Sequence, residues 1–347
     1  MPNLGDSAPE TFMAAEIRDT PAAVGRLLAA EGGRLETLGR GLRARAPSVL
    51  VTCARGSSDH AAGFFKYLVE ILLGVPVASV GPSVASLYGA PLRLQGAVVV
   101  SVSQSGQSPD IVALQRAARG AGAFSIAVVN ETSSPLAEGA DAVVPLGVGV
   151  ERSVAATKTC LASAVALAAL VAAWKDDPTL ARAVAGLPAA LDVALGRDWS
   201  PALPAFTDAM SAYAVGRGPS LPMAAEAALK LKETAVLHAE AFSGAEVMHG
   251  PLQLLEPGFP VLLFAQDDAS RAAMRDSAAR LGTAGGRVFT VTADGTEGGL
   301  AAAATGYPLL DPLAMLLSFY AFAETLARAR GHHPDRPSHL RKVTETM

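Results

Sequence analysis

What the chain lacks narrows it first. Only Cys53 and Cys160 occur in 347 residues. They lie far apart and outside any metal-like spacing, so neither a disulfide framework nor a metal site is indicated, and a reducing cytoplasm is the expected compartment. Charged residues make up only 17% of the chain and the net charge is -4. No Lys/Arg cluster reaches the density that a nucleic-acid groove requires, which excludes DNA and RNA from the expected partners. The longest apolar run, Leu161 to Trp174, is about one or two turns short of a bilayer span and reads as a buried helix. Glu10, Glu16, Arg18 and Asp19 break any secretory pattern near the start, so no membrane association is expected. No G-x-G-x-x-G follows a strand, and no glycine-rich loop ends in Lys-Ser/Thr, which argues against a dinucleotide or magnesium-nucleotide site.

What is there is apolar: hydrophobic residues make up 50% and aromatics only 5%. Ala- and Val-rich strands with few aromatics suit parallel sheets covered on both faces. The length suggests two domains. After a helical lead-in over residues 8 to 32, with Pro21 near the start of a second segment, strand and helix patterns alternate. Strand Ser48–Cys53 runs into Arg55-Gly56-Ser57-Ser58-Asp59 and a helix from His60 to Leu73. Strand Gly96–Val102, loop Ser103–Ser108, helix Pro109–Gly120 and strand Phe124–Val129 follow. A second series begins near residue 200: strand Ala212–Val215, helix Leu221–Leu237, strand Pro260–Phe264, helix Arg271–Thr283 and strand Arg287–Thr292. The halves match element for element, which predicts an α/β protein made of two doubly wound, mainly parallel-sheet domains. The expected divisions are a lead-in over 1–34, domains over 35–195 and 196–333, and a tail over 334–347.

The loop Ser103-Gln104-Ser105-Gly106-Gln107-Ser108 lies after a strand and before a helix, the address at which such sheets bind ligands. One serine there would be a helix cap. Three, with amides and a glycine between them, offer donors to a phosphate group, and the following helix adds free N–H groups. Ser57 and Ser58 stand ready to complete the cradle. The counterpart loop Ala265–Ser270 carries Asp267 and Asp268, which repel a dianion, so one phosphate site per chain is expected. Further on, Glu226, Lys230 and Glu233 share one face of an otherwise apolar helix. Charge in a buried helix is costly unless paired or used, and the pattern points to acid–base work rather than to exposed ion pairs. His249, before Gly250-Pro251, is placed to project from a turn. His238, ahead of a helical stretch, reads as a structural histidine.

These residues carry a resemblance. Gly56-Ser57-Ser58, Ser103-Gln104-Ser105-Gly106, Val154-Ala155-Ala156-Thr157-Lys158, Glu226 through Lys230 to Glu233, His238-Ala239-Glu240, Glu246 with His249-Gly250-Pro251, and Leu340-Arg341-Lys342-Val343-Thr344 resemble the isomerase half of the glutamine-fructose-6-phosphate aminotransferases. That half consists of two sugar isomerase (SIS) domains. The resemblance covers nearly the whole chain and implies that Ser57, Ser58, Ser103, Gln104, Ser105 and Ser108 bind a sugar phosphate. Glu233 is then the enolisation base and His249 the ring-opening group, reaching in from the neighbouring subunit of a homodimer. Lys342 matches a lysine that forms a Schiff base, Lys230 an assisting lysine, and Val154 and Ala156 backbone contacts to sugar hydroxyls. Gln107 and Ser108 stand where the aminotransferases have Glu and Thr, and no glutamine-hydrolysing domain with an N-terminal nucleophilic Cys is seen. The chain thereby resembles the free-standing glucosamine-6-phosphate deaminases of this type. That implies conversion of glucosamine 6-phosphate to fructose 6-phosphate and ammonia without metal or nicotinamide. A fructosamine-6-phosphate deglycase, a galactosamine-6-phosphate deaminase and a non-catalytic phosphosugar sensor are the alternatives.

Overall fold

The computed structural model describes residues 10–296 and 299–342. It opens with one helix, α1 (Phe12–Arg45), capped by the Thr11 hydroxyl, which accepts from the Ala14 N–H. The lead-in was expected to break near Pro21 and stop near residue 32. Instead α1 runs through Pro21 and the Gly32-Gly33 pair to Arg45. Its contact with a later helix explains this: a Cβ at Gly39 would lie 2.6 Å from Ala173 Cβ. Glycine therefore lets the two backbones approach, and burial outweighs the local helix penalty of about 1 kcal/mol per glycine.

The first half then builds β1 (Leu50–Cys53), α2 (Ser57–Leu73), β2 (Val77–Ser79), α3 (Ser83–Ser86), β3 (Val98–Ser103), α4 (Pro109–Gly120), β4 (Phe124–Val129), α5 (Pro135–Glu138) and β5 (Ala142–Pro145). Helices α6 (Lys158–Lys175), α7 (Pro178–Leu195) and α8 (Leu203–Thr207) lead to the second half. That half contains β6 (Ser211–Gly216), α9 (Ser220–Ala235), β7 (His238–Ser243), β8 (Phe259–Phe264), α10 (Arg271–Thr283), β9 (Gly286–Thr292), β10 (Leu300–Ala301) and α11 (Asp311–Ala329).

The first sheet has the order β2-β1-β3-β4-β5 and the second β7-β6-β8-β9-β10, every described pairing being parallel. If β6 is set against β1, the two orders coincide. The duplication read from the sequence is therefore a duplication of topology. Central strands such as β3, VVVSVS, are buried along their whole length, as expected where helices cover both faces.

The apolar run expected to fall short of a bilayer span forms α6, which is 18 residues long. By length and composition α6, α7 and the segment Pro308–Ala329, which ends in α11, could each cross a membrane. Yet α6 and the Pro308–Ala329 segment are each 83% buried inside the protein. Their apolar surface packs against α1, α2, α7 and α9 in one continuous core. The run is longer than expected, and its hydrophobicity is used inside the fold.

Candidate active site

In a sheet of order 2-1-3-4-5 the connections from β1 and β3 leave in opposite directions, opening a crevice at the strands' carboxyl ends. Both serine loops lie there. Arg55 joins them, donating from Nε and Nη2 to Asp110 Oδ2 at 2.9 and 2.5 Å. Asp110 is a buried residue in the first turn of α4.

The loop after β3 is held in a tight left-handed turn. Gly106 has φ +62°, and a Cβ there would lie 2.1 Å from Ser134 Oγ. Its N–H donates to Ser103 Oγ at 3.0 Å. Ser108 occupies the N-cap of α4, but its hydroxyl makes no cap bond. Helix α2, which begins at Ser57, likewise has no side-chain cap. Two uncapped helix starts thus converge, with Ser57, Ser58, Gln104, Ser105 and Ser108 half-buried around them. That is a favourable place for an anion. The counterpart loop in the second half is hydrogen-bonded within itself. Asp268 accepts the Ser270 N–H and hydroxyl at 2.8 and 2.6 Å and the Gln266 amide at 2.9 Å.

Helix α9 packs against β6 and β7 of its own sheet and against α2 and α11. Glu226 and Lys230 on it are fully buried, whereas the Glu233 side chain keeps 22% exposure. Lys230 Nζ lies 3.4 Å from Glu226 Oε1 and donates to Glu233 Oε2. The alternative of exposed ion pairs is thereby removed. Glu226 also takes hydrogen bonds from His60 Nδ1 at 2.7 Å and from the Tyr320 hydroxyl at 2.9 Å. Burial pushes the Glu226 carboxyl up, but Lys230, His60 and Tyr320 outweigh it and hold the group below the ordinary carboxylate value. Burial likewise lowers Lys230, and the two carboxylates more than reverse this, so the ammonium is held charged.

A third cluster forms at the start of α6. Glu151 accepts from the Thr157 and Thr159 N–H groups, each at 3.1 Å, and from the Thr159 hydroxyl at 2.7 Å. Lys342 reaches the same carboxylate at 3.0 Å and the Ser153 carbonyl at 2.6 Å. The tail lysine is therefore set beside Val154 and Ala156, both half-buried. From α1, Glu16 accepts the Arg152 and Ser153 N–H groups, and Asp19 accepts from Lys158 Nζ at 2.9 Å, which fixes the loop. Val343 and Thr344 of the tail match lie outside the described residues.

His249 follows a short turn of 3-10 helix, Glu246–Met248, and is exposed. Within one chain its imidazole bonds to none of the other candidate residues. His238 opens the edge strand β7, exposed, with Nδ1 3.1 Å from Ser211 Oγ. The stretch read as a loop before a helix is thus a strand. Sequence reasoning missed His60, Tyr320 and Glu151. His60 carried a usable signal, one helical turn after Ser57; Tyr320 carried none, because it is remote in sequence and sits in an apolar helix.

A family model described as the SIS domain matches residues 45–173 and 205–297. The chain belongs to the SIS domain family. The two matches fall on the two sheets, the first spanning β1 to β5 and the second β6 to β9. Among curated relatives of this SIS chain, the isomerizing glutamine–fructose-6-phosphate aminotransferase of Aeropyrum pernix is 35% identical over 323 residues. That alignment covers 87% of the chain and 52% of the relative. The SIS chain thus spans about half the length of the curated relatives it matches. A Silicibacter pomeroyi DSS-3 crystal structure, provisionally named a phosphosugar isomerase, superposes with a TM-score of 0.89 at 44% identity, covering 94% of this chain and 100% of that one. The C-terminal domain of glucosamine-fructose-6-phosphate aminotransferase from Francisella tularensis gives a TM-score of 0.82 at 25% identity, with 95% and 99% covered.

Proposed function

We propose that this SIS chain is an aldose–ketose isomerase of amino-sugar phosphates that releases ammonia, converting glucosamine 6-phosphate and water to fructose 6-phosphate and ammonia. The observation that carries the reading is Lys230, buried between Glu226 and Glu233, with Glu233 alone of the three reaching toward solvent. A fixed cation next to a carboxylate that can meet substrate is what proton transfer between adjacent carbons needs.

In this reading the phosphate sits on the serine loops and the α2 and α4 N-termini. His249 of a second copy carries the proton of the C1 hydroxyl to the ring oxygen as the C1–O5 bond opens. Glu233 takes the proton from C2 and returns it to C1 while a proton of the amine passes to the C1 oxygen, so that the C1 hydroxyl and C2 imine replace the aldehyde and amine. Lys342 stabilises the negative charge that develops on the C1 oxygen, and the buried Lys230 assists by holding the Glu233 carboxylate. Water then adds to the imine carbon, and ammonia leaves. The relatives named as aminotransferases support the sugar-phosphate class, and the two buried cysteines agree with work in a reducing cytoplasm.

The test is ammonia release from glucosamine 6-phosphate, with galactosamine 6-phosphate and fructosamine 6-phosphate as parallel arms. Release no faster than that of a Glu233→Gln variant in every arm would sink the proposal. Faster release in a parallel arm would reassign the substrate.

A further inference from the structure

Helix α2 carries more than the serines at its start. His60 lies one turn beyond Ser57 and crosses to α9, where Nδ1 meets Glu226 Oε2 at 2.7 Å. An ionised carboxylate only accepts hydrogen bonds, so Nδ1 carries the proton. Glu226 thus has partners from three helices: His60 of α2, Lys230 of its own helix and Tyr320 of α11. Lys230 is in turn shared with Glu233. Taking one donor from a buried carboxylate throws more of its charge onto the remaining partners. The ammonium would then be drawn toward Glu226 and away from Glu233.

We propose that His60 is a positioning residue: by donating to Glu226 it fixes how Lys230 is divided between Glu226 and Glu233, and so how firmly the ammonium holds the Glu233 carboxylate. The inference rests on reading Glu233 as the enolisation base. It also couples the two parts of the site, because one helix supplies both Ser57 to the phosphate cradle and His60 to the charged cluster. The imidazole is not sealed in the core. Its side chain is 21% exposed and lines a cavity of about 200 Å³ with Asp59, Lys66 and Pro222. Substitutions there have room to be accommodated.

Steady-state kinetics on the full chain with glucosamine 6-phosphate compare wild type with His60→Leu, His60→Gln and His60→Asn. The Asn amide nitrogen falls where Nδ1 lies, whereas the Gln amide reaches to the Nε2 position. Leu and Gln should lower kcat about 10- to 100-fold, the effect of a lost hydrogen bond to a charged group. KM should stay within about twofold, and Asn should restore most of kcat. If His60→Leu does not fold, the Asn and Gln pair carries the test. Near-wild-type kcat in Gln, equal losses in Asn and Gln, or a raised KM with kcat retained would each overturn the role. The last outcome would assign His60 to the phosphate cradle. Failure of wild type itself to turn over would overturn the functional reading and this inference together, whereas normal turnover in every variant overturns this inference alone.

Discussion

Glu226 and Lys230 are both fully buried and lie 3.4 Å apart, one helical turn from each other on α9. Removing one member of such a pair leaves an uncompensated charge in the core. Lys230→Met should therefore destabilise the fold by about 3–5 kcal/mol. Adding Glu226→Gln should recover part of that loss, because the charge left behind is then gone. Denaturant unfolding of both single variants and the double variant measures the coupling. Additive losses would show that the two groups do not share one electrostatic site.

The same carboxylate predicts a pH dependence. Burial raises Glu226, and Lys230, His60 and Tyr320 more than offset it, so the folded value lies below the ordinary 4.5. A carboxyl lowered by folding contributes stability above its unfolded value and loses that contribution as pH falls through the folded one. The melting-temperature gap between wild type and Glu226→Gln should be full at neutral pH and close on the acid side of 4.5. A gap that persists unchanged into acid would mean that Glu226 is not ionised.

Glu233 keeps part of its surface exposed, so its replacement separates activity from folding. Glu233→Gln should lower turnover about 10²- to 10⁴-fold, the usual contribution of a general base. The melting temperature should change little beside that of Lys230→Met. A turnover drop matched by an equal loss of folded protein would assign Glu233 a structural task.

The turn at Gly106 makes a steric prediction. A methyl group there meets Ser134 at 2.1 Å in a backbone with φ +62°. Gly106→Ala should raise KM for the sugar phosphate more than it lowers kcat and abolish the thermal shift given by inorganic phosphate. Gly89→Ala is the control. It shares the left-handed backbone, with φ +54°, but nothing lies within 4 Å of the added atom. It should carry only the backbone penalty of about 1 kcal/mol and leave phosphate binding alone.

If His249 acts across a two-fold axis, inactive variants should complement each other. Glu233→Gln and His249→Asn homodimers would both be inactive. Mixed by unfolding and refolding together, they should regain about a quarter of wild-type activity, since half the dimers are mixed and each mixed dimer has one intact site. No recovery in a mixture shown to contain heterodimers would place His249 in the site of its own chain.

Much of the fold was legible in the sequence. Helices α4 and α10 and strand β4 were read to the residue, because β-branched runs and flanking loop residues are local signals. Repetition of those signals gave away the duplicated domain, and Glu226, Lys230 and Glu233 could be set on one face by helical spacing alone. Tertiary structure decided which side chains meet across the chain. His60 and Tyr320 reach Glu226 over sequence separations of 166 and 94 residues, and Lys342 reaches Glu151 over 191. No periodicity encodes such pairings. They arise because α2, α6, α9 and α11 pack into one core, and a buried carboxylate must find its donors on whichever helices that packing sets against it. The same packing carried α1 past residue 32, where the lead-in was expected to end, since the burial gained against α6 exceeded what its glycines lose as helix formers.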